Sequence, residues 1–305
     1  MIPVDDTPAL RAAGLGKRYG STWALQDCTL DIPGTGVTGL VGPNGAGKTT
    51  LLNLATGMLR PGAGSIRVLG GIPGHGTAQL RKVGFVAQET PVYAGLSVAD
   101  HLKLGRRMNA RWDAKLAADR IRELRIDPRH KAGRLSGGQR AQLALTMALA
   151  RRPELLILDE PVASLDPLAR REFLAGLAQA TAGTRMSVVM SSHLVSDLER
   201  ICDYLVVLVA SRIQLAGPVA GLVADHHLVS GASVDPRDLP AGAEVIHGTR
   251  SLGQTTLLVR AGAPPQGRAW TRPGLEDVVL AYLSRGSEGA AGSAVADSTG
   301  MEAAR

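Results

Sequence analysis

Nine consecutive residues carry the densest chemistry in the chain: Gly42, Pro43, Asn44, Gly45, Ala46, Gly47, Lys48, Thr49 and Thr50. They fit the pattern G-x-x-x-x-G-K-[ST], in which glycines let backbone N–H groups wrap an anion without side-chain clashes. The anion is a nucleoside triphosphate. Lys48 would reach its β- and γ-phosphates, and the Thr49 hydroxyl would bind Mg²⁺. A second constellation is Asp159-Glu160, at the end of the apolar run Leu155-Leu156-Ile157-Leu158. Buried carboxylates are costly unless paired or metal-bound, so Asp159 reads as a Mg²⁺ partner. Glu160 reads as the group that polarises an attacking water; the competing reading is an exposed acid at a helix start. A third is Leu135-Ser136-Gly137-Gly138-Gln139. A hydroxyl and bare N–H groups at a positive helix end make another anion site, although an ordinary N-cap with two flexible glycines looks the same.

These residues need elements to position them. Val37 to Val41 reads as a short buried strand and Thr50 to Ala55 as the start of a helix, so the glycine loop joins strand to helix. The new helix points its N-terminal partial positive charge at the bound anion. Residues 9–36 read as antiparallel β structure, with strands at Ala12 to Arg18 and Ala24 to Ile32. Further strands are expected at Gly62 to Leu69, Val83 to Ala87, Leu155 to Leu158, Ser187 to Met190 and 204–210. Helices are expected from Ser97 to about Leu124, over 136–150, and at Leu168 to Ala180 and Leu194 to Ile201. Strands alternating with helices around a phosphate loop give an α/β fold with a parallel sheet. An antiparallel β subdomain and a helical subdomain at about 90–150 complete residues 1–216. Residues 217–285 read as a small α+β appendage, with strands at Val245-Ile246 and Thr255 to Val259 and one helix from Pro273 to Leu283. The tail 286–305 is rich in Gly, Ala and Ser and is expected to be disordered.

Composition narrows the classes. The apolar content of 45% supports a full core, and with aromatics at 3% that core is aliphatic. Net charge is +7 and the pI about 9.8, which suits an anionic partner or a solvated arginine-rich face equally. Between Lys103 and Arg134 eleven Lys/Arg stand against four Asp/Glu, a basic and mostly helical insert. Cys28 and Cys202 are far apart and lack metal-ligand spacing, so no disulfide framework or zinc site is expected. The first residues have neither a basic nor an apolar leader pattern, and no apolar run approaches membrane-spanning length.

Taken in order, these motifs resemble those of ABC-type ATPases. Gly42 to Thr49 is similar to their Walker A, Gln88 after Val83 to Ala87 to the Q-loop glutamine, and Leu135 to Gln139 to the signature. Leu155 to Asp159 resembles Walker B with Glu160 in the place of the catalytic glutamate. Ser164-Leu165-Asp166 resembles the D-loop, and His193 after Val188 to Ser192 the switch histidine. Tyr19 lies where the family keeps an aromatic that stacks on adenine. The resemblance covers roughly residues 9–216. Pro161-Val162-Ala163-Ser164 departs from the commoner Thr and Gly but leaves Asp159, Glu160 and Asp166 in place.

The resemblance implies ATP and Mg²⁺ as ligands, and two such domains paired head to tail. Each ATP would lie between the Walker A loop of one subunit and Ser136 to Gln139 of the other, with Asp166 beside it. Glu160 would hydrolyse the ATP that glues the pair. His193 would contact the γ-phosphate, and Gln88 would touch Mg²⁺ or water. The second subunit would be another copy or a paralogue, and transport would need separate integral membrane permease subunits. The chain would then lie peripherally on the cytoplasmic face of the membrane. Pro273 to Leu280 resembles a short helix near the end of exporter-type subunits, so export is the expected direction. The other class considered is a soluble ABC-type ATPase acting on nucleic acid or the ribosome. It predicts paired ATPase units or a long coiled-coil insertion. Lys48 and Ser136 lie only 88 residues apart and no heptads are sustained, so no nucleic acid is expected as partner.

Overall fold

The computed structural model describes residues 7–89, 92–232, 234, 239, 242–251, 253–263 and 270–286. The expected tail therefore lies outside the described residues, apart from Gly286.

A six-stranded sheet holds the centre, in the order β5 (Val83–Val86), β6 (Leu155–Leu158), β7 (Ser187–Ser192), β3 (Gly36–Val41), β8 (Tyr204–Val209) and β9 (Arg212–Pro218). The first five run parallel; β9 returns antiparallel as an edge. Buried strands of this kind are apolar on both faces. Along β6, Leu156 and Leu158 enter one apolar cluster while Leu155 and Ile157 enter another. On the second face lies a three-stranded antiparallel sheet, in the order β2 (Thr22–Ile32), β1 (Leu10–Tyr19) and β4 (Ala63–Val68). Helix α1 (Lys48–Thr56) is buried there through Leu51, Leu52 and Leu54. Helix α2 (Gly76–Lys82), a short polar helix not expected from periodicity, is pinned by the Gln79 amide, which donates to the Val68 carbonyl at 2.6 Å.

The helical subdomain departs from expectation. Residues 97–124 form two helices, α3 (Val98–Met108) and α4 (Ala114–Glu123), not one. Asn109 terminates α3, and Asp113 caps α4 by accepting from the Leu116 N–H at 2.8 Å. Gly105 leaves room for the Trp112 ring, which folds back over α3 where a Cβ would strike it. Helix α5 (Gly137–Leu149) carries Leu145 and Leu149 into the main core, and α6 (Pro167–Thr181) packs Phe173 and Leu177 against them. Helix α7 (Val195–Leu198) is a single turn, shorter than expected.

Residue 217 is not a boundary: β9 runs through it to Pro218, and α8 (Val219–Ala224) follows directly. The C-terminal unit is an antiparallel sheet ordered β11 (Glu244–Ser251), β12 (Gln254–Arg260), β10 (His226–Gly231) and β13 (Trp270–Thr271), with helix α9 (275–286). Leu275, Val278, Val279 and Tyr282 of α9 share one continuous apolar cluster with Val207 and Val209 of β8. Gly286 closes the helix so tightly that a Cβ there would lie 2.8 Å from Val209. One face of the appendage is therefore continuous with the main core, while Val229, Leu257 and Val259 form a smaller cluster of its own. Cys28 and Cys202 are buried and unpaired, and burial pushes the Cys202 thiol up to about 12.

Candidate active site

The neighbouring strands β5, β6, β7 and β3 end at the same edge of the sheet, where open α/β folds place ligands. Their carboxyl ends deliver Gln88, Asp159 and Glu160, Ser191 to His193, and the loop Gly42 to Lys48. Strand register makes the alignment specific. Leu158 lies beside Met190, so the next residues, Asp159 and Ser191, emerge side by side.

The loop is shaped by close approach. A Cβ on Gly42 would strike the Leu208 carbonyl of β8; one on Gly47, which has φ 108°, would strike the Ala24 carbonyl of β2. Both positions require glycine. No side chain caps α1, whose first turn begins at Lys48 and exposes Thr49. Uncapped helix N–H groups beside a lysine form a ready anion site. The buried Lys48 ammonium uses three donors: to Gly42 O at 2.8 Å, to Pro43 O at 3.2 Å, and to Glu160 Oε1 at 3.1 Å.

Glu160 is 9% exposed and sits at φ 45°, a left-handed conformation unusual for a side chain of its size. It lies between the Lys48 ammonium and the His193 ring, whose Nδ1 is 2.9 Å from its second oxygen. Burial pushes the Glu160 carboxyl up, but hydrogen bonds from His193 and Lys48, and their charges, hold it below its ordinary value. Asp159 is 2% exposed. The Ser191 hydroxyl binds both acids: it donates to Asp159 Oδ1 at 2.7 Å and accepts from the Glu160 N–H at 2.8 Å.

The structure thus brings together Lys48, Asp159, Glu160 and His193, and adds Ser191, which the sequence reading passed over. Gln88 is exposed and lines a separate cavity of 380 Å³ with Arg140 and Ser164. Tyr19 stands exposed at the end of β1, its ring 5.9 Å from Lys17 Nζ. Ser136 and Gln139 form a capping box: the Ser136 hydroxyl accepts from the Gln139 N–H at 3.2 Å, and the Gln139 amide oxygen accepts from the Ser136 N–H at 3.1 Å. The two glycines differ. A Cβ on Gly138 would lie 2.8 Å from Ala169 of α6, whereas Gly137 faces open space, with Leu165 at 3.7 Å. Asp166 caps α6, accepting from the Leu168 and Ala169 N–H groups at 3.0 Å.

Residues 25–163 match the family of ABC transporters. The Nod factor export ATP-binding protein I of Rhizobium johnstonii is 31% identical over 300 residues, spanning 92% of this chain and 96% of that protein. The chain belongs to the ABC transporter family. Within that family it is an ATP-binding subunit and an ATPase. A molybdenum import ATP-binding protein of Rhodobacter capsulatus is 38% identical over 246 residues, which are 77% of this chain and 66% of that protein. A solved ATP-binding subunit of an ABC transporter superposes with a TM-score of 0.63 at 26% identity, over 70% of this chain and 91% of that one. The ABC subunit's sheet edge, with its loop, paired acids and histidine, is the part of the molecule suited to ATP chemistry.

Proposed function

We propose that this ABC subunit pairs with a second ATPase subunit on binding ATP and drives export through a separate membrane permease. The observation that carries the direction is the reach of the match to the Nod factor exporter. It extends over nearly the whole length of both proteins, whereas the match to the molybdenum importer covers 66% of that protein. Among the described residues no helix is long and apolar enough to cross a membrane, in keeping with a permease on another chain and a peripheral place at the cytoplasmic face of the membrane.

In this reading the Gly42–Thr50 loop and the start of α1 cradle the phosphates. Lys48 exchanges the Glu160 oxygen for phosphate oxygens, which releases Glu160 to orient water as general base. His193 holds the second Glu160 oxygen and faces the γ-phosphate. Ser191 fixes the spacing of the two acids. Thr49, Asp159 and Gln88 offer a hydroxyl, a carboxylate and an amide, hard oxygen donors that fit Mg²⁺. When bound, Mg²⁺ would neutralise charge on the β- and γ-phosphates. Ser136 to Gln139 serve the partner's nucleotide; Asp166 flanks that interface and Tyr19 meets the adenine.

The test is affinity purification of the tagged chain from gently solubilised native membranes. The proposal expects a polytopic membrane protein in stoichiometric amount. A soluble complex carrying ribosomes or nucleic acid, with no membrane partner, would overturn it.

A further inference from the structure

A second polar cavity, of 260 Å³, lies at the opposite end of the sheet from the phosphate loop. Arg81 is in the last turn of α2, just ahead of β5, and Arg151 precedes β6, so the cavity sits by the amino ends of these strands. Arg106 and Arg107 enter it from the last turn of α3, and Arg111 from the turn between α3 and α4. Five arginines from separate parts of the chain therefore line one cavity, and no carboxylate lines it.

Neighbouring cations are matched differently. Asp119 pairs with Lys115 and Arg122, Asp113 with Arg152, and Asp127 with Arg129. In the cavity only Arg111 reaches an acid, Glu154 at 4.0 Å, which Lys82 already approaches at 3.4 Å. Among the described residues no carboxylate lies within 4.0 Å of Arg81, Arg106, Arg107 or Arg151. Helix C-terminal dipoles favour arginine at the ends of α2, α3 and α5, and here those three ends face one cavity that no carboxylate lines.

The cavity is also held in shape. Asn109 ties back to the Gly105 carbonyl through its backbone N–H at 3.1 Å and its side chain at 2.8 Å. The Asp113 N–H donates to the Ala150 carbonyl at 2.7 Å, joining the α3–α4 turn to the end of α5. Arg151 is half-buried and donates to the Leu80 carbonyl at 3.1 Å, which ties it to the residue before Arg81. Guanidinium forks bind phosphate oxygens in pairs, and a group of unmatched arginines on fixed elements needs no rearrangement to do so.

We propose that this five-arginine cavity binds a compact phosphate-bearing anion with at least two negative charges, either free in solution or carried on a lipid headgroup. The site is separate from the nucleotide and does not depend on the direction of transport.

The probe for the free anion is inorganic pyrophosphate, titrated calorimetrically into the full chain saturated with ADP, which occupies the phosphate loop. The probe for the headgroup is co-sedimentation with phosphatidylcholine vesicles, with and without phosphatidic acid. The variant is Arg81→Gln with Arg107→Gln, both exposed and away from the active site. A control, Lys103→Gln with Arg129→Gln, removes the same charge elsewhere. The proposal expects saturable binding of at least one probe, weakened about tenfold or more by the first variant and unchanged by the control. Pyrophosphate binding alone identifies a free anion as the ligand; phosphatidic acid-dependent sedimentation alone identifies a lipid. Equal losses in variant and control, undiminished binding by a correctly folded variant, or no wild-type binding of either probe would overturn it.

Discussion

Replacing Ser191 with Ala tests the architecture of the acid pair. Its hydroxyl is fully buried and bonded on both sides, to Asp159 Oδ1 at 2.7 Å and from the Glu160 N–H at 2.8 Å. The substitution leaves a buried acceptor and a buried donor with one partner fewer, each loss costing ~1–3 kcal/mol. A summed destabilisation of about 2–6 kcal/mol is expected by urea denaturation. Glu160 is held at φ 45°, so losing this anchor should also displace the carboxylate and lower ATP turnover by about 10–100-fold. Ser192→Ala is the internal comparison. Ser192 bonds only to the main chain of Leu194, accepting from its N–H at 3.0 Å and donating to its carbonyl at 3.2 Å. Its loss should cost about 1 kcal/mol and spare most turnover. If Ser191→Ala stays within about 0.5 kcal/mol of wild type and hydrolyses ATP normally, the bridging argument is wrong.

Glu160→Gln should abolish steady-state turnover while nucleotide still binds. Because the Glu160 carboxyl titrates below its ordinary 4.5 in the fold, its ionised form stabilises above that value, and this contribution is lost as pH falls through the lowered one. The stability gap between wild type and Glu160→Gln should therefore narrow as the pH falls below the ordinary carboxylate value, as followed by denaturation at each pH. Gly138→Ala should destabilise by about 1–3 kcal/mol, because its Cβ meets Ala169. Gly137→Ala should leave thermal stability unchanged or raise it, since nothing crowds that position. Leu275→Ala should lower the whole unfolding transition by about 2–5 kcal/mol, because α9 shares its apolar cluster with β8; an early separate transition in calorimetry would make the C-terminal unit an independent body.

The sequence showed where the nucleotide chemistry lies because phosphate binding constrains backbone and side chain at once. Gly42 and Gly47 are dictated by the carbonyls of Leu208 and Ala24, and the apolar run Leu155 to Leu158 announces a buried strand before its acids. Ser191 was legible only through register: once β6 and β7 are neighbours with Leu158 beside Met190, a serine beside Asp159 follows. A serine in an apolar strand carries no such signal by itself. The break between α3 and α4 was hidden by continuous helical spacing, although Asn109 and Asp113 are good boundary residues. Helix α2 and strands β9 and β10 escaped because their positions depend on what they pack against. Gln79 is buried by Val68 and Gly71. In β10, His226 is buried with partners at Leu222 and Tyr282. The joining of α9 to the main core is likewise a long-range property that local composition does not contain.

The most direct measurement is the mass of the Glu160→Gln chain by sedimentation equilibrium with Mg²⁺ and either ATP or ADP. The account predicts a dimer with ATP and a monomer with ADP. An equal mass with both nucleotides, despite demonstrated ATP binding, would contradict it.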